Sequence, residues 1–229
     1  MGPLSNILQR TFRMQFDGET ATCFTVDMYR KQYIVTARHV LPDTGRSVTI
    51  EVQHEGEWKR LDCMVLARAP GDIDLCVLAP PHPISPPVAI ASSTRGIVLG
   101  QDVYFLGFPY GLQSEVGELN GGFPFPLVKK ACVSMLFLDG NGKDGRYLLL
   151  DGVNNPGFSG GPVVFSLPGE ENARIAAVIA GYRFVWDKVY LDDKETALAV
   201  RSNTGIIMAY SIEHAIEMIR ANPGGASII

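Results

Sequence analysis

The feature that most restricts this chain is the rhythm of its apolar runs. Short apolar or alternating stretches recur along it, separated by Gly, Pro, Asn and Asp. Such runs predict strands over 20–27, 32–37, 47–54, 59–69, 75–79, 101–107, 128–138, 147–151, 161–165, 174–182 and 205–209. Strands do not alternate with long helical patterns, which argues against a parallel α/β sheet. The expectation is an all-β barrel or sandwich. One clear helix is predicted at the end, with Ser211 as cap and Ile212, Ala215, Ile216 and Ile219 on one apolar face, stopped by Asn222–Gly225. A shorter helix is expected near 4–10.

With 229 residues, 46% of them apolar and 19% charged, the chain has material for one large domain or two small ones around a shared cleft. The segment 79–93 holds five prolines in its first nine residues and reads as a semi-rigid crossing between two β units. The expected division is an N-terminal unit over 1–90 and a C-terminal unit over 91–229. A net charge of −4 without a long basic run leaves no footprint for nucleic acid. No apolar run reaches the roughly 18 residues that span a bilayer, so no membrane partner is expected. The four cysteines, Cys23, Cys63, Cys76 and Cys132, are widely spaced and sit in apolar runs. They read as buried free thiols with no metal signature, and no cofactor is expected. Free thiols and a first segment without the signal-peptide pattern suggest a cytoplasmic location.

One stretch carries chemistry: "NNPGFSGGPVV", Asn154–Val164, where Ser159 stands among Gly157, Gly160, Gly161 and Pro162. It fits three readings: a nucleophile with its oxyanion pocket, a glycine-rich turn, or the G-x-S-x-G elbow of another hydrolase fold. An activated serine needs a base, and the base needs an orienting group. Of the four histidines, His54 lies in a polar hairpin turn, His82 among prolines and His214 on the predicted helix. His39 directly follows a β-branched strand in "YIVTARHVL", where a polar ring is costly unless paired. Asp72 and Asp74 in "GDIDLCVLAP" are the candidate orienting carboxylates. Asp74, at the lip of an apolar strand, is preferred and Asp72 is the fallback. The elbow needs the order Ser, acid, His, for which the chain offers Ser159, Asp192 or Asp193, and His214. However, "GGPVVFSLPGE" after Ser159 reads as a strand rather than the helix an elbow requires.

The order His39, Asp74, Ser159 and the strings around them resemble the trypsin-like serine peptidase superfamily, in particular its HtrA-like bacterial branch without a PDZ domain. "TATCFTVDMYRKQYIVTARHVL" resembles the family's histidine segment, "DLCVL" its "DLAVL" segment and "LGQDVYFLGFPYGL" its "vGxxvxxiGxPxGl" stretch. "LLLDGVNNPGFSGGPVV" resembles its "iqTDaxiNPGNSGGPlv" nucleophile segment, and "NTGIIMAYSIEHA" its closing strand and helix. Together these span about Thr20 to Arg220.

The resemblance implies a double β-barrel with a C-terminal α-helix and serine endopeptidase activity on protein or peptide substrates. It implies an oxyanion hole from the Gly157 and Ser159 N–H groups, with Phe158 between them. A substrate pocket is implied at Val153 and along Ala180, Gly181 and Tyr182, with no acid at its base, so small or medium apolar residues are the expected preference. It also implies an activating partner or assembly step that orders the loops 113–127 and 182–203. Phe158 departs from the Asn or Asp common in the family. That departure keeps a second class in view, a protease-like binding module with a weak or inactive site.

Overall fold

The computed structural model describes residues 4–41, 45–87, 90–139, 145–170 and 172–228. The first barrel holds β1 (Thr11–Phe16), β2 (Glu19–Met28), β3 (Lys31–Thr36), β4 (Ser47–His54), β5 (Glu57–Arg68) and β6 (Cys76–Ala79). Its strands run in the order β3-β2-β1-β4-β5-β6, and a β3–β6 pairing joins the ends. The second barrel is closed in the order β10-β11-β12-β9-β8-β7. Its strands are β7 (Asp102–Gly107), β8 (Leu127–Phe137), β9 (Tyr147–Asp151), β10 (Pro162–Phe165), β11 (Arg174–Leu191) and β12 (Lys194–Ser211). The all-β double barrel expected from the sequence is the architecture seen. Residue 90 lies between the two sets of strands, and β13 (Ala226–Ser227) returns to pair with β3 of the first sheet.

Local chemistry explains the hairpins. The turns Asp17–Gly18, Tyr29–Arg30, Glu55–Gly56 and Asp192–Asp193 all have positive φ at both central residues. This is the type I′ pattern, whose twist matches that of the flanking strands. Strand β1 was not among the expected strands, although Phe12, Met14 and Phe16 alternate just before the Asp17–Gly18 turn.

Each barrel has its own core. In the first, Phe12, Met14, Ile34, Ile50 and Leu78 pack together. In the second, Phe105, Leu148, Leu150, Val163 and Ile179 do so. A third cluster lies between them, where Val35, Leu75 and Val77 meet Leu106, Val164 and Val178. Helix α2 (Glu213–Ala221) buries Ala215, Ile216 and Ile219 against that cluster, joined by Ile212 just before it. The Ser211 hydroxyl accepts the Glu213 N–H at 3.3 Å. Near the other end, α1 is one turn, Ser5–Leu8, shorter than the expected 4–10.

One of the two expected loops differs from expectation. The segment 182–203 is not a loop: β11 and β12 continue past the barrel as a two-stranded ribbon, paired from Phe184↔Asn203 to Leu191↔Lys194. The segment 113–127 docks on the first barrel. There Phe123 meets Phe12 edge-on at 4.7 Å and the Gly121 carbonyl contacts His54 Nε2 at 2.8 Å.

The proline-rich crossing is pinned by one buried amide. Gln32 Oε1 accepts the Ile84 N–H at 2.7 Å and the Ser85 N–H at 3.1 Å, while Nε2 donates to Asp27 Oδ1 at 3.0 Å and to the Ser85 carbonyl at 3.2 Å. Replacing Gln32 with Ala strands those groups without partners. The expected loss is about 2–4 kcal/mol, read as a lower urea midpoint with an unchanged m-value.

Candidate active site

The first barrel presents a histidine. Strand β3 ends at Thr36, and Arg38–Val40 form a single 3-10 turn that lifts His39 off the barrel rim. Asp74 precedes β6, whose pairing with β3 brings the two segments side by side. The Asp74 carboxylate grips the histidine twice. Oδ1 accepts the His39 backbone N–H at 2.8 Å, and Oδ2 lies 2.5 Å from Nδ1. This fixes the ring and leaves Nε2 without a protein partner among the described residues. Asp72 is not part of the pair. Its carbonyl accepts the Tyr210 hydroxyl at 2.7 Å, and the residue lines a separate cavity of about 650 Å³ with Arg146, His214 and Glu217.

The second barrel presents the serine. Residues Asn155–Phe158 form a tight turn closed by Phe158 N–H to the Asn155 carbonyl at 3.3 Å. Pro156 and Gly157 are its central pair, and Gly157 has φ +103°. Proline followed by a residue of positive φ is the type II pattern. A Cβ on Gly157 would also lie 2.5 Å from the Phe108 carbonyl oxygen, so only glycine fits.

Every carbonyl from Val153 to Ser159 has a named donor. Val153 O accepts from Lys129 Nζ, Asn154 O from Asn203 Nδ2 at 2.7 Å, and Asn155 O from Phe158 as above. Pro156 O accepts from Tyr110 N at 3.3 Å, and Gly157 O from Thr22 Oγ1 at 2.7 Å. Phe158 O accepts from Gly161 N at 2.8 Å, and Ser159 O from Thr22 N at 3.0 Å. A trans peptide places its C=O and N–H on opposite sides. Tethering the Pro156 and Phe158 carbonyls therefore aims the Gly157 and Ser159 N–H groups the other way. Among the described residues neither of these two N–H groups has a protein acceptor.

Thr22 belongs to β2, so the first barrel holds the turn of the second. Gly160 completes the contact: a Cβ there would lie 2.9 Å from Ala37 N and closer still to the Thr22 carbonyl and Thr36 hydroxyl. Ser159 thus sits against the rim from which His39 rises. No hydrogen bond joins Ser159 Oγ to His39 among the described residues. A cavity of about 240 Å³, lined by Arg13, Thr20, Phe108, Tyr110 and Pro156, borders Gly157.

Phe158 has a physical explanation. It is fully buried and meets Phe105 edge-on at 4.8 Å inside the second barrel. There is no room for a Cβ on Gly107 beneath it, since one would lie 2.6 Å from Phe158 Cδ1. The turn is anchored by an apolar ring where the family commonly has a polar side chain. Of the expected pocket residues, Val153 is exposed, Ala180 is buried and Gly181 and Tyr182 are half-buried. The elbow residues do not converge. Ser159 leads into β10, Asp192 and Asp193 form the tip of the ribbon, and His214 on α2 contacts the Arg146 backbone. Burial and the Arg146 charge push His214 below its ordinary value. The sequence reading missed Thr22, Tyr110, Lys129 and Asn203, whose role as donors to the turn depends on tertiary placement.

A model of the trypsin-like peptidase domain matches residues 21–167. The chain belongs to the trypsin-like peptidases. None of the curated proteins matches it by sequence. Among solved structures, it is similar to a serine-to-alanine variant of the HtrA-type protease AlgW with a tripeptide. The TM-score is 0.62 at 16% identity, over 96% of this chain and 62% of that one. This peptidase domain therefore spans less than two thirds of that protein's length. It is also similar to the inactive form of the Rv3671c protease, with TM-score 0.59 at 17% identity over 96% of this chain and 91% of that one. A serine-to-alanine variant of Rv3671c from M. tuberculosis H37Rv, also an inactive form, gives 0.58 at 17% identity over 96% and 89%. At these identities the likeness concerns the fold.

The Asp74 hydrogen bond raises the His39 value above the ordinary 6.5, against the opposing effect of burial. The folded-state value exceeds the unfolded one. The contact therefore stabilises the fold fully below pH 6.5 and its contribution fades as pH climbs through the raised value. An NMR titration of the His39 ring is expected to give a midpoint above 6.5 in the wild type and a lower one in Asp74→Asn.

Proposed function

We propose that this trypsin-like peptidase is an active serine endopeptidase using His39, Asp74 and Ser159. The observation that carries the reading is the paired geometry: a carboxylate gripping one side of an imidazole, and a nucleophile turn with two N–H groups left open. Ser159 Oγ attacks the scissile carbonyl carbon while His39 Nε2 takes its proton. The carbonyl π pair moves to oxygen, and the Gly157 and Ser159 N–H groups receive that charge. Collapse re-forms the carbonyl and breaks the C–N bond, and the amine leaves with the proton held by His39. Water then repeats the sequence, and its attack releases the acid and Ser159. Asp74 keeps the imidazole in the tautomer that exposes Nε2 as acceptor and stabilises the imidazolium once formed.

Fluorophosphonate labelling tests this reading. The wild type is expected to label and Ser159→Ala is not. Labelling that survives Ser159→Ala, or that never occurs, removes the catalytic claim for Ser159, and the second outcome favours a protease-like binding module. Asp74→Asn is expected to lower kcat by about 10⁴, as when the orienting acid of such a triad becomes an amide. Because His39 must be neutral to act as base, wild-type activity is expected to rise with pH through the raised His39 value.

The pocket walls at Val153, Ala180, Gly181 and Tyr182 carry no carboxylate to pair a basic side chain. Cleavage after small or medium apolar residues is the corresponding reading. A peptide-library profile is expected to show it, and strict Lys or Arg preference would overturn it.

A further inference from the structure

Two adjacent lysines on β8 behave differently. Lys130 is an ordinary surface cation, with Asp102 of the neighbouring strand at 2.7 Å. Lys129 is half-buried and has no carboxylate partner among the described residues. Its ammonium contacts the Val153 carbonyl and Asn155 Oδ1, the latter at 3.3 Å. It also lies 5.9 Å from the ring centres of both Phe105 and Phe158. A cation among rings and carbonyls, with burial pushing its value down, is costly unless those contacts matter.

The contacts lead to the peptide that controls an open N–H. Asn155, held through Oδ1 by Lys129, donates Nδ2 to the Tyr110 hydroxyl at 3.2 Å. Tyr110 N–H in turn holds the Pro156 carbonyl at 3.3 Å. That carbonyl shares its peptide plane with the Gly157 N–H. The Lys129 ammonium thus grips the turn on two sides: directly at Val153, and through Asn155 and Tyr110 at Pro156. The Phe158 ring beneath it anchors the third side.

We propose that Lys129 is a positioning residue: its ammonium holds the Val153–Phe158 segment so that the Gly157 N–H faces the reacting carbonyl oxygen. This rests on the reading of Ser159 as nucleophile. The ammonium acts through the Val153 carbonyl and Asn155, so its loss is expected to act on the chemical step rather than on binding.

The test measures the limiting rate (kinact) and half-saturation (KI) of fluorophosphonate labelling for wild type, Lys129→Met and Lys129→Arg, with Ser159→Ala as blank. Lys129→Met keeps the apolar stem and removes the charge. Its kinact is expected to fall about 10- to 100-fold, the range for losing a charge-assisted hydrogen bond, with KI nearly unchanged. Lys129→Arg is expected to recover most of the rate. A wild-type kinact in Lys129→Met, or a change confined to KI, overturns the proposal. So does an equal loss in both variants. Crystal structures of wild type and Lys129→Met supply a readout independent of labelling. A Pro156–Gly157 peptide that turns over without the ammonium supports the positioning role, and one that stays in place overturns it. If the wild type does not label, the nucleophile reading fails, and the peptide orientation still decides what Lys129 does. If Lys129→Met does not fold, Lys129→Gln takes its place under the same criteria.

Discussion

The turn that carries Ser159 depends on where its carbonyl groups go. A glycine-rich turn has many conformations of similar energy, and most would point a carbonyl oxygen at the place that the Gly157 and Ser159 N–H groups now face. Here each carbonyl from Val153 to Ser159 is drawn away by a donor outside that place. The open N–H groups are what remains once those bonds are made. Five of the seven donors come from β2, β8, the turn after β7 and the root of the ribbon, and the turn's own Phe158 and Gly161 N–H groups supply the other two, so the turn's conformation is a property of both barrels together. Thr22 alone gives its N–H to one turn carbonyl and its hydroxyl to another, and its hydroxyl also receives the Phe108 N–H at 3.2 Å.

This arrangement divides the work between two kinds of anchor. Phe158 supplies depth: an aromatic ring in the barrel core resists withdrawal through burial and edge-on packing. The polar donors supply direction, since a hydrogen bond fixes the plane of a peptide and a buried ring does not. On the other barrel the same division recurs. Leu75 and Val77 bury the strand beside Asp74, while the two carboxylate bonds to His39 orient the ring.

Much of this was legible in the sequence, for physical reasons that differ by element. The core strands read clearly because one or both faces are buried, which forces apolar residues at period two or in short runs. Helix α2 read clearly because one face lies on the inter-barrel cluster. The ribbon did not. Phe184, Val185, Trp186, Leu198 and Val200 are exposed on it, so no buried face imprinted an alternation. Strand β1 had a signal, the Asp17–Gly18 turn after alternating Phe12, Met14 and Phe16, that went unused. His39, Asp74 and Ser159 stood out because each sits at a strand end beside a recognisable string. Thr22, Tyr110, Lys129 and Asn203 did not, because their partners are backbone carbonyls far away in sequence, and a carbonyl leaves no trace in residue identity.

The late position of α2 in the chain sets a clock on the molecule. The loop bearing Asp74 is braced by Tyr210, and the apolar cluster behind it is covered by Ile212 and α2. A chain made from its N-terminus completes the strands around His39 and Asp74 first, then the serine turn, and only afterwards the brace that joins both halves. A half-made chain holds His39 and Asp74 on one barrel while Ser159 still lacks its turn, so the surface that carries all three residues is finished only when the architecture is nearly whole.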